Sequence, residues 1–122
     1  MGKFEVKSSE AGVSFNLIAK NGQVVATSQV YVSLSSAKCG IASVVENAPI
    51  AEIEDQTVED FEKKPLPKFE VYADKAGKTR FRLKAKNSQI IAVGEAYESK
   101  SACLAGIDSV RKNAEGAQIV EV

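Results

Sequence analysis

The sequence predicts an α+β fold for this chain, with two tandem β-β-β-α-β repeats in a single domain, and three observations carry the prediction. The chain repeats itself. Each copy opens with runs of alternating apolar and polar residues, the period of a half-buried strand. Each copy then continues into one stretch whose apolar residues recur at helical spacing.

The repeat is plain when the halves are aligned. KFEV at Lys3–Val6 returns at Lys68–Val71, and an offset of 66 aligns Ser14–Asp55 with Arg80–Glu121. Identities across that window include Phe15/Phe81, Leu17/Leu83, Asn21/Asn87, Tyr31/Tyr97, Gly40/Gly106 and Asn47/Asn113. Chance at ordinary composition would give roughly two or three. The chain divides into a first repeat (3–55), a linker (56–67) and a second repeat (68–122). A unit of about fifty residues buries little core alone, so the copies are expected to share one sheet and one core.

Within each copy, Phe4 and Val6 alternate with Glu5 and Lys7 in the first strand, and FNLIAK or FRLKAK forms the second. Asn21-Gly22 predicts a tight hairpin in which both central residues accept positive φ, and Asn87-Ser88 takes the same place. QVVATSQ and QIIAVGE are nearly continuously apolar, which suits a central third strand. Ser33 and Ser99 fit helix N-caps. The helical stripe is Leu34, Ala37, Ile41, Val44, Val45 and Ala48 in copy one, and Cys103, Leu104, Ile107, Val110 and Ala114 in copy two. Pro49 and Gly116 mark the helix exits, and AEIED and AQIVEV supply closing strands. The linker begins acidic and ends at Pro65 and Pro67, which favour an extended entry into Lys68.

The pattern KFEVY-x-D-x-x-G-x-x-RFRLKA-x-N in copy two, followed by Tyr97-x-Ser99-Lys100 and a helix ending in KNA, resembles the YegP-like family of small bacterial proteins of uncharacterised function. Copy one departs from it at Lys7, Val13, Ser14 and Leu34. The resemblance implies one antiparallel sheet with the closing strands exchanged between repeats, both helices on one face, and no catalytic residues to carry over.

Composition narrows the chemistry. Lysine plus arginine number 16 and aspartate plus glutamate 16, so overall charge selects no polyanionic partner. The absence of histidine removes Ser–His and Cys–His nucleophile pairs and the commonest metal ligand. Two cysteines make no disulfide framework and suit a reducing, cytoplasmic setting. No apolar run reaches membrane-spanning length, and no zinc, calcium or phosphate-loop pattern is present, so neither cofactor nor metal is expected.

The candidate site is a basic row, Arg80, Arg82, Lys84 and Lys86, at every second position of one strand and opposite Phe81, Leu83 and Ala85. Alternation places all four on the open face of the sheet, available for a polyanion, with Tyr72 beside them for stacking. The competing expectation is a solvated face whose cations pair with Glu70 or Glu95. Copy one has Ser14, Asn16 and Ile18 in the equivalent places, and Lys68–Val122 holds only ten basic against seven acidic residues. Tyr31 and Tyr97, at the strand-to-helix junctions, read as packed side chains beside capping serines, with anion binding the alternative. Cys103 is placed in the core and Cys39 at the surface. The acidic residues Glu52, Glu54, Asp55, Glu59, Asp60 and Glu62 read as a solvated linker. The expectation is a non-enzymatic structural or interaction module with an unidentified protein partner, monomeric with pseudo-dimeric repeats. Weak nucleic-acid or polyanion binding through the basic row is the alternative.

Overall fold

The computed structural model describes residues 2–122. The first repeat contributes β1 (Lys3–Ser9), β2 (Gly12–Ile18), β3 (Val24–Thr27), α1 (Leu34–Asn47) and β4 (Glu52–Asp55). The second contributes β5 (Lys68–Ala73), β6 (Thr79–Lys84), β7 (Ile90–Val93), α2 (Lys100–Ala114) and β8 (Gln118–Glu121). All eight strands form one sheet in the order β4-β5-β6-β7-β3-β2-β1-β8.

The closing strands are exchanged: β4 of the first repeat pairs with β5 of the second, and β8 pairs with β1. Both exchanged pairs are parallel, whereas the six strands between them pair antiparallel. The sheet is therefore mixed, antiparallel at its centre and parallel at its two edges. A parallel neighbour needs a crossover rather than a hairpin, and residues 56–67 provide the one between β4 and β5. The short apolar strands β3 and β7 meet at the middle, where Thr27 faces Val93 across the repeat boundary.

Alternation puts Phe4 and Val6, Val13, Phe15 and Leu17, Phe69 and Val71, and Phe81 and Leu83 on one face, all buried. Both helices cover that face, α1 reaching β7 of the other repeat and α2 reaching β3. A single hydrophobic cluster contains residues from both copies. Equivalent aromatic stacks hold each half: Phe4 meets Phe15 edge-on at 5.7 Å, and Phe69 meets Phe81 edge-on at 6.0 Å.

Ser33 and Ser99 cap the helices, their hydroxyls accepting the backbone N–H of Ser36 and Ala102 at 3.1 Å. Two positions of the expected helical stripe differ: Val45 and Leu104 are 39% and 37% exposed. The buried line runs through Ala37, Gly40, Ile41, Val44 and Asn47 in α1 and through Cys103, Gly106, Ile107, Val110 and Ala114 in α2, so each of the two lies at the rim of its stripe. The hairpin tips also differ from the expected form. Gly22 N–H donates to Ala19 C=O and Ala19 N–H to Gln23 C=O, both at 2.8 Å. The central turn residues are therefore Lys20 and Asn21, and Gly22 alone takes positive φ, at 86°. This is a three-residue loop closed by a left-handed residue, a standard alternative to the two-residue turn. Ser88 takes the same conformation at φ 73° without being glycine.

Candidate functional site: the charged open face

The face opposite the helices begins with register. Lys68, Glu70 and Tyr72 on β5 lie across from Lys84, Arg82 and Arg80 on β6, and Glu54 on β4 lies across from Glu70. Glu70 is 2% exposed and Glu54 1%, which a carboxylate tolerates only when paired and hydrogen-bonded. Both are. Glu70 accepts Arg82 Nε at 2.6 Å and lies 3.3 Å from Lys84 Nζ and 3.4 Å from Lys68 Nζ. Glu54 accepts Lys68 Nζ at 2.9 Å, Gln56 Nε2 at 2.6 Å and the backbone N–H of Lys64 at 2.8 Å. The last bond draws the linker over the open face beside β4.

Burial works to raise the pKa of both carboxyls, and the surrounding donors reverse it. Hydrogen bonds from Gln56, Lys68 and Lys64 bring Glu54 down to about 2, and Arg82 and Lys84 hold Glu70 below the usual carboxylate range. Lys68 is raised, chiefly by its hydrogen bond to Glu54. At the end of β4, Asp55 accepts Lys100 Nζ at 2.8 Å and the backbone N–H of Thr57 at 2.9 Å. The expected solvated linker is thus corrected at Glu54 and Asp55. Strand exchange carries these two into the second repeat's cations, so they are anchors rather than loose surface charges.

The four basic candidates have different fates. Arg82 and Lys84 are tied to Glu70, and Arg82 also lies over the Tyr72 ring, 4.7 Å from its centroid. The tyrosine is therefore in contact with a cation of its own sheet. Arg80 donates from Nη2 to Gly94 C=O at 3.3 Å and has no carboxylate partner among the described residues. Lys86 falls beyond the end of β6, exposed in the turn, so the row of four is a row of three. On the first repeat's half of this face, Lys3 and Lys7 flank Glu5 at 3.9 and 3.8 Å.

The tyrosines are packed. Tyr31 stacks on Phe15 at 6.1 Å and Tyr97 on Phe81 at 6.2 Å. Their hydroxyls lie over Gly40 and Gly106, where any side chain would collide with them. Burial raises both pKa values. The role of these glycines was missed from sequence, although a Tyr and a Gly nine residues apart in both copies was the available signal. Cys103 is buried, with its thiol pushed up to about 11 by burial and then by Asp55, and Cys39 is exposed. No group of histidine, cysteine or carboxylate side chains among the described residues is arranged to hold a metal ion. Among the described residues, no helix is long and apolar enough to cross a membrane.

A domain of unknown function, DUF1508, matches the chain twice, at residues 8–55 and 74–121. The chain belongs to the DUF1508 family. DUF1508 relatives include the UPF0339 protein YegP of Yersinia pestis, 40% identical over 114 residues that cover 93% of this chain and 88% of that one. A Treponema denticola UPF0339 protein is 69% identical over 55 residues, 45% of this chain but 95% of its own length, so that relative is about one repeat long. The solution structure of Escherichia coli YegP, titled a protein of unknown function, covers 98% of this chain and 91% of its own at 33% identity with a TM-score of 0.79. The UPF0339 protein of Shewanella oneidensis gives a TM-score of 0.80, again at 33% identity, over 98% of this chain and 90% of its own. The two solved relatives thus share this two-repeat fold, and the relatives are proteins of unknown function.

Proposed function

We propose that the chain is a non-enzymatic structural or interaction module, working as a monomer whose two repeats take the place of two subunits. The observation that carries this reading is the occupation of Glu70 by Lys68, Arg82 and Lys84. Two of the four residues of the basic row, Arg82 and Lys84, neutralise a buried carboxylate across the strand pair. Each exchanged strand finds its partner within one chain, which supports a monomer. Two free cysteines, one of them exposed, support a reducing, cytoplasmic setting.

Polyanion binding through Arg80, Arg82, Lys84 and Lys86 is the second reading, favoured by the exposure of Lys86 and by the lack of a carboxylate partner for Arg80. A short single-stranded oligonucleotide titrated at low salt separates the two. The module reading expects no saturable amide shifts along β6. Saturable, salt-sensitive shifts abolished by Arg80→Glu with Arg82→Glu would replace it with the polyanion reading.

A further inference from the structure

On the open face, where the two repeats meet, the sheet carries a groove of about 470 Å3 lined by Thr27, Gln29, Arg80, Ile90, Val93 and Glu95, with Ser28 and Gly94 at its base. Thr27 and Val93, Ser28 and Gly94, and Gln29 and Glu95 are equivalent positions of the two copies. The groove therefore straddles the pseudo-two-fold axis, and junctions between structural units are where small-molecule sites tend to form. Sequence has made it one-sided. Arg80 stands where the first repeat has Ser14, and Glu95 where it has Gln29.

Arg80 is the open-face cation of β6 that Glu70 does not take. Its Nη2 reaches Gly94 C=O, while its Nε is shielded from solvent with no hydrogen-bond partner among the described residues. A shielded donor on a charged group is costly to leave unpaired, and an incoming anionic oxygen relieves that cost once the guanidinium turns toward it. Ser28 has no donor to spare, since its hydroxyl already accepts Phe15 N–H and donates to Gln29 C=O. Thr27 and Gln29 offer further polar contacts, and Ile90 and Val93 offer an apolar wall. Glu95 bears on charge: it lines the same groove, and its repulsion of a second negative charge favours a monoanion over a phosphate dianion.

We propose that this groove binds a small monocarboxylate, its carboxylate on Arg80 and its short apolar chain on Ile90 and Val93. The test is amide and side-chain NMR of the full chain titrated with butyrate, with inorganic phosphate and sodium chloride at matched ionic strength. Butyrate should give saturable shifts at Arg80 Nε–H, the Gln29 side-chain amide, Gly94 and Glu95, and phosphate should bind more weakly. Arg80→Gln should weaken butyrate by about tenfold or more, the loss of a charge-assisted hydrogen bond. Glu95→Gln should strengthen it several-fold, and Lys86→Gln should leave it unchanged. Should Arg80→Gln not fold, the wild-type shifts and the Glu95→Gln gain decide the matter. Absence of saturation, tighter phosphate binding, or equal weakening by Lys86→Gln overturns the proposal.

Discussion

At the scale of single residues, a serine, a pair of glycines and a glutamate show how local chemistry and fold constrain one another. Ser88 occupies a left-handed position that Gly22 fills in the other copy, and that conformation costs an L-residue about 1 kcal/mol. Ser88→Gly should therefore raise stability by about 0.5–1 kcal/mol, read as a higher urea midpoint. Gly40 and Gly106 receive tyrosine hydroxyls, so Gly106→Ala should cost about 1–3 kcal/mol through overpacking against Tyr97. Glu54 sets a pH dependence. Its folded pKa, about 2, lies below its ordinary value of 4.5. The stability it contributes is present above pH 4.5 and is lost as pH falls toward 2. Glu54→Gln should cost about 1–3 kcal/mol at pH 7, because Lys68 and the Lys64 N–H lose their charged acceptor while Lys68 keeps Glu70. The gap to wild type should close across that same acidic window, as measured by urea unfolding at a series of pH values.

At the scale of elements, the second repeat grips the first more tightly than the first grips it back. Arg111 on α2 donates to Ala51 C=O at 2.6 Å and Ala48 C=O at 3.3 Å beyond the end of α1, and it lies 5.3 Å over the Phe69 ring. The equivalent position in α1 is Val45, which is part-exposed. Lys100 at the start of α2 holds Asp55 at 2.8 Å; its counterpart Leu34 carries no charge, and Glu121, the counterpart of Asp55, has only Lys38 of α1 at 3.7 Å. Arg111→Met keeps the aliphatic stem and removes the donors. It should cost about 1–3 kcal/mol, the charge-assisted bonds to two carbonyls, while Val45→Ala should cost less than 1 kcal/mol by the same urea assay.

These elements also show what a sequence can and cannot convey. Strand alternation, helix stripes and serine caps are written in local spacing, so the β-β-β-α-β order and the position of β3 and β7 at the sheet's centre were legible. The parallel direction of β4 and β8 was not, because direction depends on which neighbour a closing strand finds. Glu54 and Asp55 were misread for the same reason: their cationic partners, Lys68 and Lys100, lie beyond the linker, and nothing in EIED names them. The basic row was legible on β6, where alternation holds, and not at Lys86, where the strand has ended. The alignment named Ser14 opposite Arg80, but only the assembled sheet brings both repeats' equivalents into one groove.

At the scale of the whole molecule, the exchange of closing strands decides how the chain folds and unfolds. Neither repeat owns a complete sheet: β1 depends on β8, and β5 depends on β4. Both helices cover strands of the other copy, and one core runs through both. Two independent half-domains would unfold separately, whereas a shared core should give one cooperative transition. The decisive measurement is residue-resolved urea unfolding by NMR, following native amide peaks from 3–55 and from 68–122. A common midpoint and a common slope for both sets is the predicted result. Separate midpoints, with one repeat's peaks persisting after the other's have gone, would contradict a single exchanged unit.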